Sequence, residues 1–140
     1  MKRTEIKNHL DVLYEVIDRS YVADKARREL SESNMPEQKP GQIEGLINIT
    51  TIPLLPPTQA EIEFINFLCD LDNEILTMLV VVMYIGRDPY LTKNDDYDKI
   101  FSNMYQDFID RSKGYKIDIL KGKLPCLPQY FNEGILRLNF

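Results

Sequence analysis

Histidine occurs once in this chain, at His9, and cysteine twice, at Cys69 and Cys126. A zinc centre built from Cys and His would lack ligands, since the cysteines form no C-x-x-C pair and neither adjoins the histidine. The two thiols fit a reduced, cytoplasmic protein. Also missing are G-x-S-x-G, a phosphate-cradling Walker loop and G-x-G-x-x-G, so neither a nucleophile elbow nor a nucleotide loop announces an enzyme. His9 has no Cys or Ser motif beside it. A site assembled from dispersed Asp, Glu, Tyr and Arg would leave no trace in spacing. The expectation is a protein with no catalytic residue, cofactor or metal.

Positive charge is in deficit. The formal net charge is -5 and the pI about 4.9, which argues against a nucleic-acid binder held by bulk charge and leaves room for a protein that meets a basic surface. Long apolar runs are absent too. "LTMLVVVMYI" is the most apolar stretch, and Ile75 to Ile85 is about half the roughly 20 residues of a spanning helix. "MKRTEIKNHL" starts basic, but no apolar h-region follows, so no signal peptide is expected. No membrane role is expected either.

What is present suits one helical domain. The chain has 140 residues, 44% apolar and 28% charged, enough to bury a core without a disulfide or metal. Ile6, Leu10, Leu13 and Ile17 mark a helical face within a long N-terminal helix over 1–32, widened by Val12 and Val16 and continued by Tyr21, Val22, Ala26 and Leu30. Ser20 and Asp24 break the heptads, so a long coiled coil is not expected. A Pro-rich connection over 33–57 follows, with Pro36, Pro40, Pro53, Pro56 and Pro57. It either lies extended across the helices or forms an arm that docks a partner, and "LINITTI" within it has strand-like composition.

The helical core spans 58–140. Thr58-Gln59-Ala60-Glu61 is a capping box, leading a face of Ile62, Phe64, Ile65, Leu68 and Cys69. Asp72 is placed to cap the central helix from about Asn73 to Ile85, with Gly86 as its C-cap and Pro89 preventing its resumption. Tyr97, Ile100, Phe101, Met104, Phe108 and Ile109 line the next helix, capped by Asp95 or Asp96 and ended by Gly114. "YKIDILKG" forms a short helix closed by Gly122. Pro128 fits the first turn of a last helix carrying Tyr130, Phe131, Ile135 and Leu136. The expected architecture is all-α, a compact bundle of five or six helices.

"FINFLCDLDNEILTMLVVVMYIGRDPY" resembles the core of a small bacterial family of unknown function. In that family a helix ends in Leu, an acidic turn follows, and the next helix finishes as Leu-x-x-Leu-x-x-aromatic-x-Gly-Arg-Asp or Gly. Leu76, Leu79, Met83, Tyr84, Gly86, Arg87 and Asp88 take those positions. "IDILKGKLPCLPQYFNEGILRL" is similar to the family's ending, with its Pro-Leu step and Glu-Gly-Ile/Leu motif. The likeness covers Gln59 to Leu138 and leaves the N-terminal helix unmatched. It implies a helical fold and no assigned activity.

Five features of the chain admit two readings each. Arg87, beside Asp88 and Tyr90, either presents a fork of donors to a ligand from a rigid helix end, or caps the helix's carbonyls or pairs with Asp70, Asp72 or Asp88. The structural role is preferred. Asp70, Asp72 and Glu74 have alternate spacing, but Ile75 takes the glycine position of a calcium loop and no Glu closes it, so capping accounts for them. Asn94, Asp95, Asp96 and Asp98 are read the same way, with a weak metal at Asp95 and Asp98 as the alternative. Arg111, Lys113, Lys116, Lys121 and Lys123 form a basic strip around Tyr115, either a contact for nucleic acid or the solvated side of two helices. Cys126, between two prolines, has only Lys121 and Lys123 near it in sequence to activate a thiol.

The expectation is therefore a non-catalytic accessory or regulatory protein that binds another protein, such as an inhibitor carried by a phage or mobile element. A homodimer through the N-terminal helix is a further expected contact. The alternatives are a nucleic-acid-associated factor using the Arg111–Lys123 strip, and a small-molecule binder or enzyme with a deep polar pocket near Arg87.

Overall fold

The computed structural model describes residues 1–33 and 55–138, and most of the Pro-rich connection, including "LINITTI", lies outside them. The described residues form an all-α bundle. A 3-10 helix over Arg3–His9 leads directly into α1 (Leu10–Ser33), followed by α2 (Gln59–Cys69), α3 (Asn73–Arg87), α4 (Tyr97–Ile109), α5 (Lys113–Gly122), a short 3-10 turn (Leu124–Cys126) and α6 (Leu127–Leu138). None of these helices is long and apolar enough to cross a membrane.

α3 is the hub. Every residue from Leu76 to Met83, with Ile85 and Gly86, is buried, because α4, α5 and α6 all pack on it. A helix apolar on all sides needs such neighbours. The closest packing is against α6. A Cβ on Gly86 would lie 1.8 Å from the Tyr130 carbonyl oxygen, and one on Gly134 would lie 2.4 Å from the Val82 carbonyl oxygen. Two glycines facing one another let the backbones touch. This corrects the expected role of Gly86. α3 continues one residue past it, to Arg87, and Pro89 ends the helix by forcing Asp88 into an extended conformation (φ -68°, ψ 116°).

The seam of α1 also departs from the expected one. Leu13, Val16, Ser20 and Ala23 are buried, a spacing that continues through the position where the heptad fails. Small residues hold it, and the Ser20 hydroxyl is satisfied by donating to the Ile17 carbonyl at 2.9 Å. Tyr21 and Val22, expected on the packed stripe, are exposed. In α6 the seam is Leu127, Phe131, Gly134 and Leu138, which leaves Leu136 73% exposed. Gly114 does not end α4. That helix stops at Ile109, and Ser112 caps α5 by accepting from the Tyr115 N–H at 3.1 Å, placing Gly114 inside α5.

Caps fix the remaining boundaries. The Thr58 hydroxyl oxygen accepts from Glu61 N–H at 3.1 Å and the Glu61 carboxylate accepts from Thr58 N–H at 3.1 Å, the expected capping box. Asp96 caps α4 through Lys99 N–H at 3.2 Å, while Asp95 holds the loop by accepting from Thr92 N–H at 2.7 Å. Asp72 occupies the N-cap of α3, but its carboxylate makes no capping bond.

Glu61 also joins α2 to α1, through Arg27 at 2.6 Å. Burial alone would raise its carboxyl; the Thr58 backbone hydrogen bond and the Arg27 guanidinium outweigh burial and hold it below its ordinary value of 4.5. A lowered folded value gives stability that is complete above 4.5 and is lost as pH falls below it. Glu61→Gln keeps capping-box form and removes the titration. Urea unfolding well above 4.5 should show wild type ahead of this variant by about 1 kcal/mol. The difference should vanish well below that pH, and a gap of equal size in acid would refute the account.

Candidate functional site

Four of the helices have a C-terminal carbonyl that receives a basic side chain from elsewhere in the fold. α2 and α4 carry no basic residue in their last turns, so their dipoles lack a local cation. α5 supplies both. Lys113 Nζ donates to the Cys69 carbonyl at 3.0 Å, and Lys116 Nζ donates to the Ile109 carbonyl at 3.2 Å. Arg137 Nη1 donates to the Ile85 carbonyl of α3 at 2.6 Å and also to the Asp88 carbonyl. Arg3 Nη1 donates to the Leu138 carbonyl of α6 at 2.7 Å and its Nε pairs with Asp98 at 2.6 Å.

This arrangement breaks up the expected basic strip. Lys116 is fully buried, with its ammonium against Asn73 Oδ1 at 2.5 Å, while Asn73 Nδ2 donates to the same Ile109 carbonyl at 2.9 Å. Burial pushes the Lys116 pKa down, opposed by the charge of Asp110. Leu120, one turn on, and the adjacent Ile117 are buried, so this side of α5 faces the core and turns Lys116 inward, where a helix end needing a donor receives it. Arg111 lies over the Tyr115 ring, 5.0 Å from its centroid. Lys113 is engaged with α2, so Lys121 and Lys123 remain from the strip, two residues apart at the end of α5.

The other candidate lies where α3 ends. Arg137 fills the capping role expected of Arg87. Among the described residues Arg87 makes no hydrogen bond or ion pair, including none with Asp70, Asp72 or Asp88; its guanidinium carbon sits 5.9 Å from the Tyr84 ring centroid. Asp88 Oδ1 accepts from the Tyr90 N–H at 2.8 Å, a turn that carries Tyr90 outward to 88% exposure. Arg87, Asp88, Pro89 and Tyr90 flank an open groove of about 540 Å³, floored by Tyr84, Met104 and Phe108. The Tyr84 and Phe108 rings stack at 5.6 Å with 14° between planes.

The structure thus brings together all three residues singled out at the α3 end and divides the five of the strip. Sequence reasoning missed Met104 and Phe108 as groove residues, because their i, i+4 spacing reads as core. It also missed Arg137, whose only sequence partner is Glu133, 3.2 Å away one turn before it. A second cleft, of about 600 Å³, is lined by Arg3, Asp95, Tyr97, Asp98, Glu133 and Arg137, with Lys93 beside them; the charges of the first six are already paired with one another or with backbone, and Lys93 is the lining cation without a partner among the described residues. The Tyr97 hydroxyl there donates to the Thr92 carbonyl at 2.8 Å. No three His, Cys, Asp or Glu side chains among the described residues gather as a metal site. Cys126 is half-buried, and its hydrogen bond with the Tyr130 hydroxyl raises the pKa of that phenol.

Comparison with known protein families, curated proteins and solved structures finds no match for this chain.

Proposed function

We propose that this is a non-catalytic accessory protein of the cytoplasm that binds another protein through the groove at the end of α3. The observation that carries this reading is the pairing of an unpaired Arg87 with an 88% exposed Tyr90 over a floor of Tyr84, Met104 and Phe108. Arg, Tyr, Phe and Met are the side chains that interfaces concentrate. Aromatic rings supply area at low entropic cost, and the planar guanidinium fork is pre-organised, so less freedom is lost per hydrogen bond formed.

The groove is open and floored by apolar atoms, which favours a protein surface over a small ligand, since small ligands are mostly enclosed. The nucleic-acid reading rests on five cations, of which Lys116 is buried and Lys113 bonded to α2. A regulator or inhibitor, including one carried by a phage or mobile element, is the type of accessory protein this reading suggests.

The test is affinity capture from lysate of the source organism, with and without nuclease, using wild type, Arg87→Glu and Tyr90→Ser. Both residues are exposed, so both variants should fold. Recovery of one protein that survives nuclease and falls roughly 30-fold in affinity in each variant is expected. Recovery equal in all three chains, or lost to nuclease, would overturn the proposal.

A further inference from the structure

The outer face of α1 poses a separate question. Opposite its buried seam lie Tyr14, Asp18, Tyr21, Val22, Lys25 and Glu29, all exposed. Tyr14, Tyr21 and Val22 are each more than half exposed, at 52%, 55% and 56%. Asp18 and Lys25 stand two turns apart, about 10 Å along the axis, at the middle of this face. Neither has an ion-pair partner among the described residues.

The charges at the middle of this face reverse about one point. Asp18 and Lys25 are equally far from the peptide joining Tyr21 to Val22, and so are Glu15 and Arg28. A helix run antiparallel to itself about that point sets Asp18 against Lys25 and Glu15 against Arg28; Asp11 meets Glu32 only at the far ends, where water and salt screen the like charges. Glu15 and Arg28 already have intrahelical partners, Arg19 at 3.0 Å and Asp24 at 3.1 Å, and flank the face, where they can take a second charge. The central pair, Asp18 with Lys25, has no partner to give up.

We propose that α1 pairs antiparallel with α1 of a second copy of this chain, across a two-fold axis at the Tyr21–Val22 peptide. Tyr21 of each copy packs on Val22 of the other at the centre. Asp18 of each pairs with Lys25 of the other, and Tyr14 comes opposite Glu29, to whose carboxylate its hydroxyl can donate. The contact is isologous, so every interaction is made twice. A foreign partner would need a base and an acid at the spacing of Asp18 and Lys25, and the chain run in reverse already carries that pair at the centre of the face. The pairing is independent of the α3 groove. It would place two grooves on one particle, so that a partner with two copies of its own site would bind by avidity.

Sedimentation equilibrium of the full chain, over a concentration series from micromolar to near millimolar, tests this. The wild type should dimerise reversibly. Asp18→Lys alone, or Lys25→Asp alone, places like charges opposite one another twice, and should weaken the dimer by about tenfold or more. Asp18→Lys combined with Lys25→Asp swaps the pair and should restore dimerisation to within about threefold of wild type. All these positions are exposed, and circular dichroism verifies that each variant is folded. A wild type that stays monomeric throughout the series overturns the proposal. So does a dimer indifferent to the single changes, as a parallel pairing would be, or one that the double swap fails to restore.

Discussion

Gly86→Ala should lower stability by about 3 kcal/mol, read as a fall of about 10 °C in Tm. The added methyl would lie 1.8 Å from the Tyr130 carbonyl oxygen and 2.7 Å from the Gly134 nitrogen. Both are backbone atoms of α6, so no rotamer change relieves the clash. α3 and α6 must separate, and the contacts on either side of the crossing weaken with them. Alanine's better helix propensity offsets about 1 kcal/mol of the loss. Gly134→Ala should act in the same direction, since its methyl meets the Val82 carbonyl at 2.4 Å and Val82 Cγ1 at 2.9 Å. Gly114→Ala is the control, because a Cβ there meets nothing within 4 Å, and it should be neutral or stabilise by up to about 1 kcal/mol. Thermal unfolding of the three variants decides the matter. If Gly86→Ala raises Tm as the control does, the close crossing of α3 and α6 is wrong.

The helices were legible in the sequence because their signals are local. Thr58 and Glu61 close a capping box within four residues, and Pro89 needs only its neighbour to stop α3. The all-round apolar character of "LTMLVVVMYI" announced a helix covered on several sides. The errors arose where the outcome depends on what lies across the fold. Gly86 has a glycine's usual meaning at a helix end, and only α6 reveals that it is there for the Tyr130 carbonyl. Ser20 looks like a break in a seam until the small-residue face of α1 is seen to be buried.

The candidate site was half legible for the same reason. Arg87, Asp88 and Tyr90 are adjacent in sequence and are brought to one groove. Lys116 sits among surface lysines in sequence, yet points inward because α4 ends beside it without a cation. An amphipathic pattern gives the side of a helix that is covered. It does not give the neighbouring helix end that requires a donor. Met104 and Phe108 show the converse, since apolar residues at core spacing can floor a groove when the loop after α3 rises beside them.

Arg137→Met is expected to cost about 2–3 kcal/mol, the second large effect. Arg137 is largely covered, its side chain 17% exposed, and it donates to the Ile85 and Asp88 carbonyls as well as to Glu133. Methionine keeps much of the aliphatic stem, so the loss isolates the hydrogen bonds. The Arg137–Glu133 pair is not the main contribution, because Glu133 is 47% exposed and a solvated i, i+4 pair contributes only about 0.5 kcal/mol. Glu133→Gln should therefore change stability little, and Arg137→Lys should recover only part of the loss, since a shorter side chain with a single ammonium nitrogen cannot hold the two carbonyls that Nη1 holds and the Glu133 carboxylate that Nε holds at once. Urea unfolding of the three variants separates the contributions; equal losses for Arg137→Met and Glu133→Gln would show that the carbonyl contacts matter little. The consequence reaches the groove as well. Arg137 holds the Asp88 carbonyl, and the Asp88 carboxylate holds the Tyr90 N–H. On the proposed function, releasing the first bond should let Tyr90 wander and weaken partner capture, although Arg137 does not line the groove that captures it.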